Sequence, residues 1–265
     1  MISIRRRTHE KKIYPVQGQD TQTELQRRLL EMGLTFMLEH HQAFADRAAK
    51  ESLAHTAYLE KLVEGEAALS QDRTVQRRIA LARFPVIKTI DQFDWSWPKK
   101  INRLNVQNLF RLSFMADKTN VILLGGTGLG KSHIATALGY TACCKGLNVL
   151  FITAIDAING LIAASTSGRL GQELKKYRTP DLLILDELGY LPLDKSGADL
   201  LFQVISHRYE KSSTIITTNR AFKQWPAIFN NDSILTSALL DRVLHHANTV
   251  CIEGKSYRMK DQVET

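Results

Sequence analysis

The stretch VILLGGTGLGKSHIATALG, residues 121–139, sets an apolar, β-branched run against four glycines in six residues, Gly125 to Gly130, and then against a lysine and a helix-like run. Glycine weakens regular structure, and is used where backbone bends sharply or comes close to something. Gly125-x4-Gly130-Lys131-Ser132 fits G-x-x-x-x-G-K-[ST] in full, with a strand before it and a helix after it. Such a loop turns successive N–H groups, and the N-terminal end of the helix, toward an anion. The reading assigns Gly125, Gly126, Thr127, Gly128, Leu129, Gly130, Lys131, Ser132 and His133 to a nucleotide site. Lys131 is expected to reach the β- and γ-phosphates, and the Ser132 hydroxyl to ligate Mg2+.

Around this stretch the chain alternates. Apolar runs at 121–125, 148–153, 181–187 and 213–219 are separated by helix-like segments, the pattern of a parallel sheet covered by helices on both faces. The third run, LLILDEL, ends in Asp186 and Glu187. Acids at the C-terminal end of a parallel strand lie at the crevice where open α/β sheets bind ligands. Asp186 is expected to hold the magnesium and Glu187 to orient and polarise an attacking water. The fourth run ends in Thr217, Thr218 and Asn219, and the Asn219 amide can hydrogen-bond that water or the γ-phosphate, or cap a turn. No Asn-Lys-x-Asp guanine-reading motif occurs, which favours ATP. Arg242 and Arg258 are candidates to offset transition-state charge, or else surface residues with packed stems.

Composition sets limits. The 265 residues are 44% hydrophobic and 23% charged, ordinary for a globular protein with one large domain and a small companion. The N-terminal basic stretch has no apolar run behind it, and no run nears the length of a membrane span. Three cysteines, Cys143, Cys144 and Cys251, have no metal-ligand spacing and read as reduced cytoplasmic thiols. The pairs His40–His41 and His245–His246 lie beside no Cys or carboxylate set, and neighbours on a helix do not converge, so no metal is expected there. The net charge is +8, and the first twelve residues hold five basic groups to one acidic, which suits a polyanionic partner. Arg5, Arg6, Arg7, Lys11 and Lys12, with the cluster Arg73, Arg77 and Arg78, are the candidates for duplex DNA backbone contact.

Residues 1–20 read as a flexible basic arm, 21–83 as a small all-α domain, 84–103 as a linker and 104–265 as the nucleotide-binding domain. Leu25, Leu29, Met32 and Phe36 carry the helical period, and SQDRT at 70–74 is expected to offer a break before a last short helix. The linker holds Phe84, Phe93, Trp95 and Trp97, too apolar to be solvated, and is expected to pack on the domain that follows. Phe93 and Trp95 can close over an adenine or seal the domain junction.

Together LGGTGLGKSHIATALG, LLILDELGYLPLD, ITTNRAFKQW and LLDRVLHHA resemble the IstB-like ATPases, relatives of the DnaC helicase loader within the AAA+ class, and RRIALARFPVIKTIDQFDW resembles the family's linker. The resemblance implies an AAA+ core behind a small helical domain in a bacterial cytoplasmic protein. It implies slow ATP hydrolysis coupled to a homo-oligomer on double-stranded DNA, with sites shared between subunits. That oligomer would deform target DNA and recruit or stimulate a cognate transposase. By the same resemblance Asn219 matches the sensor 1 position, Arg242 the arginine finger and Arg258 the sensor 2 position. A replicative helicase loader of the DnaC kind is the alternative, to be told apart by what the N-terminal domain grips. A small-molecule kinase would instead need turnover that depends on a metabolite.

Overall fold

The structure, a computed structural model, describes residues 23–259. The basic residues Arg5, Arg6, Arg7, Lys11 and Lys12 lie outside the described residues. Three helices come first: α1 Glu24–Glu31, α2 Thr35–Glu51 and α3 His55–Ala82. Thr23 caps α1 in a reciprocal capping box with Gln26. The α2–α3 pair is tied by Glu66, a buried carboxylate that accepts from the Met37 N–H at 3.0 Å.

The break expected at 70–74 does not occur; α3 runs through it without interruption. None of Ser70, Gln71, Asp72, Arg73 or Thr74 is a glycine or proline, so nothing there removes an i→i−4 bond or clashes with the preceding turn. The chain divides into two compact units between Gln71 and Asp72, inside this helix. Within the second unit Ile79 and Ala82 are buried in the same apolar core as the first sheet strand, with Val75 packed against it.

The second unit continues with α4 Arg103–Leu109, α5 Ser113–Ala116, β1 Asn120–Gly125, α6 Lys131–Cys144, β2 Val149–Thr153, α7 Ala154–Thr166, α8 Leu170–Arg178, β3 Leu182–Leu188, α9 Lys195–Arg208, β4 Ser213–Thr218, α10 Ser233–Leu244 and β5 Ala247–Ile252. The sheet has the order β2-β3-β4-β1-β5, and every neighbouring pair is parallel. Its residues alternate between two cores, as a period of two demands. Val121, Leu123, Leu182, Ile184 and Ile215 face α6 and the segment before β1, whereas Ile122, Leu183, Leu185 and Ile216 face α7, α9 and α10. Both faces are dry, which is why these strands read as unbroken apolar runs. The expected linker packs as anticipated: Phe93 is buried in the first core, and Phe84, Ile90 and Trp95 lie against it.

β5 was not anticipated. It is an edge strand with only Val250 and Ile252 buried, so it lacks the signal of the inner four.

Arg208, 2% exposed at the end of α9, ties several elements together. Its guanidinium donates to the carbonyls of Tyr177 (2.8 Å), Pro180 (3.0 Å) and Ser213 (2.6 Å), and to the Thr214 hydroxyl (3.1 Å). Burial pulls its pKa down to about 10, with Asp181 opposing. Replacement by an apolar chain strips these acceptors of their donor. Arg208→Met is expected to cost about 3 kcal/mol and to lower Tm by about 10 °C, read by calorimetry.

Candidate functional site

The loop between β1 and α6 is built on backbone freedom. Gly128 and Gly130 adopt φ of +75° and +83°, the left-handed region that suits glycine. A Cβ at Gly130 would lie 2.5 Å from the Phe93 ring, and one at Gly125 would collide with the Ile252 carbonyl. Gly130 is the N-cap of α6, so the first helical N–H groups and the positive end of the helix dipole open into the loop. Lys131 leads the helix, is 6% exposed, and reaches back to donate to the Gly126 carbonyl at 2.7 Å. Burial lowers its pKa, Asp186 and Glu187 oppose that, and Arg258 adds to it.

Opposite stand the acids of β3. The Ser132 hydroxyl donates to Asp186 Oδ1 at 2.9 Å, and Thr217 donates to the same oxygen at 2.6 Å. Thr217 in turn accepts from the Glu187 N–H at 2.9 Å. In a regular strand adjacent side chains point to opposite faces. Here the β3–β4 register shifts between Leu185 and Leu188, and Glu187 takes φ +60°. The bulge re-aims Glu187 into the cavity that Lys131 and Ser132 line. A left-handed non-glycine residue costs about 1–3 kcal/mol, a cost that clusters at functional positions.

That cavity holds about 340 Å³, the size of small-ligand sites. Gly128 to His133, Glu187, Thr217 and Arg258 line it, as do Phe93, Trp97, Tyr190 and Tyr257. The C-terminal segment is strapped onto the loop by the Tyr257 N–H on the Gly128 carbonyl (2.8 Å) and the Trp97 indole on the Lys255 carbonyl (2.9 Å), which brings Arg258 to the cavity wall. His133 donates from Nε2 to the Thr89 carbonyl at 2.8 Å and meets the Phe93 ring edge-on. Asn219, just beyond β4, keeps a buried Oδ1 that has no hydrogen-bond partner and does not itself line the cavity.

Other candidates stand apart. Trp95 does not line the cavity; it packs under the Arg103 guanidinium, 5.0 Å from its ring centre. Arg242 donates to the Ala238 carbonyl at 2.9 Å and lies over Phe202. Its small pocket includes Asn120, the first residue of β1, whereas the phosphate loop follows Gly125, the last. Arg73 and Arg77 are exposed, while Arg78 is half-buried and its charge acts on Cys143. The sequence assigns no role to Thr217 or to Tyr190, whose hydroxyl lies 3.2 Å from that of Thr127. Thr217 was visible as a hydroxyl ending an apolar strand; its two partners were not.

The arrangement fits a nucleotide and a hard cation. The left-handed glycines and the exposed end of α6 turn N–H groups toward a phosphate, and the Ser132, Asp186 and Thr217 oxygens are the donors such a cation prefers. Fold and site together define a P-loop protein of the AAA+ class.

The chain belongs to the IstB-like ATP binding proteins, whose family pattern it matches over residues 27–265. A protein named for ATP binding in insertion sequence IS5376 of Geobacillus stearothermophilus is 38% identical over 229 residues, 86% of this chain and 91% of its own length. Its counterpart in insertion sequence IS232 of Bacillus thuringiensis subsp. berliner is 39% identical over 225 residues, 85% of this chain and 90% of its own. The crystal structure of the DnaC helicase loader superposes with a TM-score of 0.52 at 22% identity, covering 62% of this chain and 96% of that one. At that identity the likeness is one of fold. No described helix is long and apolar enough to cross a membrane.

Proposed function

We propose that this protein is an ATP-hydrolysing helper of an insertion sequence, assembling with ATP on double-stranded DNA and engaging the element's transposase. The observation that carries the reading is the strained Glu187 beside the Ser132–Asp186 pair. A protein that only held nucleotide would have no use for a second carboxylate aimed at the cavity. The relatives' insertion-sequence names support the biological setting.

In this reading Lys131 and the loop N–H groups hold the β- and γ-phosphates, and Arg258 offsets charge at the γ-phosphate. Ser132 and Asp186 would hold Mg2+, which neutralises phosphate charge when bound. Glu187 draws a proton from the attacking water as its oxygen bonds to the γ-phosphorus and the bond to the bridging oxygen breaks, giving ADP and phosphate. The Asn219 Oδ1 accepts the water's other hydrogen. Arg242, at the far end of β1 from its own subunit's loop, serves a neighbour's site. Nucleotide binding then favours assembly by linkage. Exposed Arg73 and Arg77, four apart on one side of α3, supply contacts to phosphates of the duplex.

The test is sedimentation and ATP turnover with and without duplex DNA. ATP and DNA together are expected to give a faster-sedimenting complex with raised turnover, both weakening steeply with salt. If duplex DNA changes neither, the reading fails. The helicase-loader alternative predicts instead a nucleotide-dependent complex with a replicative helicase.

A further inference from the structure

The sequence places His245 and His246 beside no carboxylate, but the fold supplies one from 35 positions earlier. Glu210, His245 and His246 each offer a ligand atom, and all of these lie within 4.8 Å of one another. The two histidines converge because they are not on a helix. α10 ends at Leu244, His245 is its C-cap, and the turn into β5 brings the two rings to a centroid distance of 4.1 Å.

Two further features suit a cation there. The Tyr209 hydroxyl lies 2.9 Å from His245 Nδ1, so it orients one of the three donors. Outer groups of this kind fix ligand rings in metal sites. Tyr209 is also the C-cap of α9, as His245 is of α10. Two helix C-termini, each with a partial negative charge, therefore meet at the cluster.

We propose that Glu210, His245 and His246 form a surface site for a transition-metal dication, zinc foremost. Two imidazoles and one carboxylate are a zinc donor set with room for water, and imidazole disfavours Mg2+ and Ca2+. A tetrahedral site with bonds near 2.1 Å sets its ligands about 3.4 Å apart, and all three side chains are exposed. Occupancy clips the end of α9 to the α10–β5 turn, within two turns of Arg242. This site is separate from the nucleotide cavity and does not depend on the function proposed above.

The test is calorimetric titration of ZnCl2 into the chelator-stripped full chain, with excess MgCl2 present to occupy the phosphate-loop site. About one zinc per chain is expected, with a rise in Tm on binding. Glu210→Gln is expected to weaken binding at least 10-fold, the double variant His245→Ala/His246→Ala to abolish it, and Tyr209→Phe to weaken it about 10-fold at unchanged stoichiometry. Melting of the zinc-free variants checks that they fold; Glu210→Gln preserves shape and serves if the double variant does not. Unchanged zinc affinity in Glu210→Gln, or no saturable binding by the parent chain, overturns the proposal.

Discussion

Glu187→Gln is expected to bind ATP as the parent does while hydrolysing it about 100-fold more slowly or worse, the usual loss when a general base is removed. Binding survives for structural reasons. The amide keeps the shape of the carboxylate and the same tolerance of a left-handed backbone. The Glu187 N–H still donates to Thr217, so the bulge and the Asp186 contact remain. Lys131 loses one of its two carboxylate neighbours but not Asp186. What disappears is the group that takes the water's proton. Single-turnover hydrolysis of γ-labelled ATP, beside a fluorescent-nucleotide titration, separates the two effects. The reading also predicts longer-lived complexes on DNA, because hydrolysis is what loosens them. A variant that turns over within twofold of the parent would move the catalytic role away from Glu187, and leave a nucleotide-gated scaffold as the better description.

Some of this site was legible because its signals are local. Six of the residues that face the cavity, Gly128 to His133, come from one uninterrupted stretch, whose flanking strand and helix are written in adjacent sequence. Asp186 and Glu187 follow four buried residues of β3, so their position at a strand end could be read directly. The rest depends on contacts distant in sequence. Thr217 serves both acids, yet it is 31 residues from Asp186, and nothing in either segment announces the pairing. The bulge that re-aims Glu187 arises from β3–β4 register, which one strand alone does not specify. Trp97 and Tyr257 meet from opposite ends of the second unit, with ring centres 5.6 Å apart. β5 gives little signal because an edge strand alternates weakly, and the polar run at 70–74 does not stop α3 because it changes only the chemistry of the side chains, not the backbone. His245 and His246 were judged by helical spacing, and the helix had ended one residue sooner.

Lys131→Ala is expected to weaken ATP binding about 100-fold and to abolish nucleotide-dependent assembly on DNA. The cavity region carries three cations, Lys88, Lys131 and Arg258, and three anions, Asp94, Asp186 and Glu187. Removing Lys131 leaves an excess of negative charge facing a polyanion, and takes away charge-assisted bonds worth about 1.5–3 kcal/mol each. Two such bonds to the β- and γ-phosphates amount to about 3 kcal/mol at the lower end, or about 100-fold in affinity. Stability should move the other way. The Lys131 pKa is lowered chiefly by burial, so the folded state holds that proton less tightly than the unfolded chain. The cation therefore costs stability in full below the folded pKa, neutral pH included, and the cost fades as pH rises from that value through the unfolded value near 10.5. Without nucleotide, the alanine variant should accordingly melt no lower than the parent, the Gly126 carbonyl taking water in place of the ammonium. Melting curves and nucleotide titrations on the same samples test both halves. A variant that melts normally and still assembles on DNA in response to ATP would show that the loop does not govern assembly. One that merely unfolds would show Lys131 to be a structural cation, contrary to the direction of its pKa.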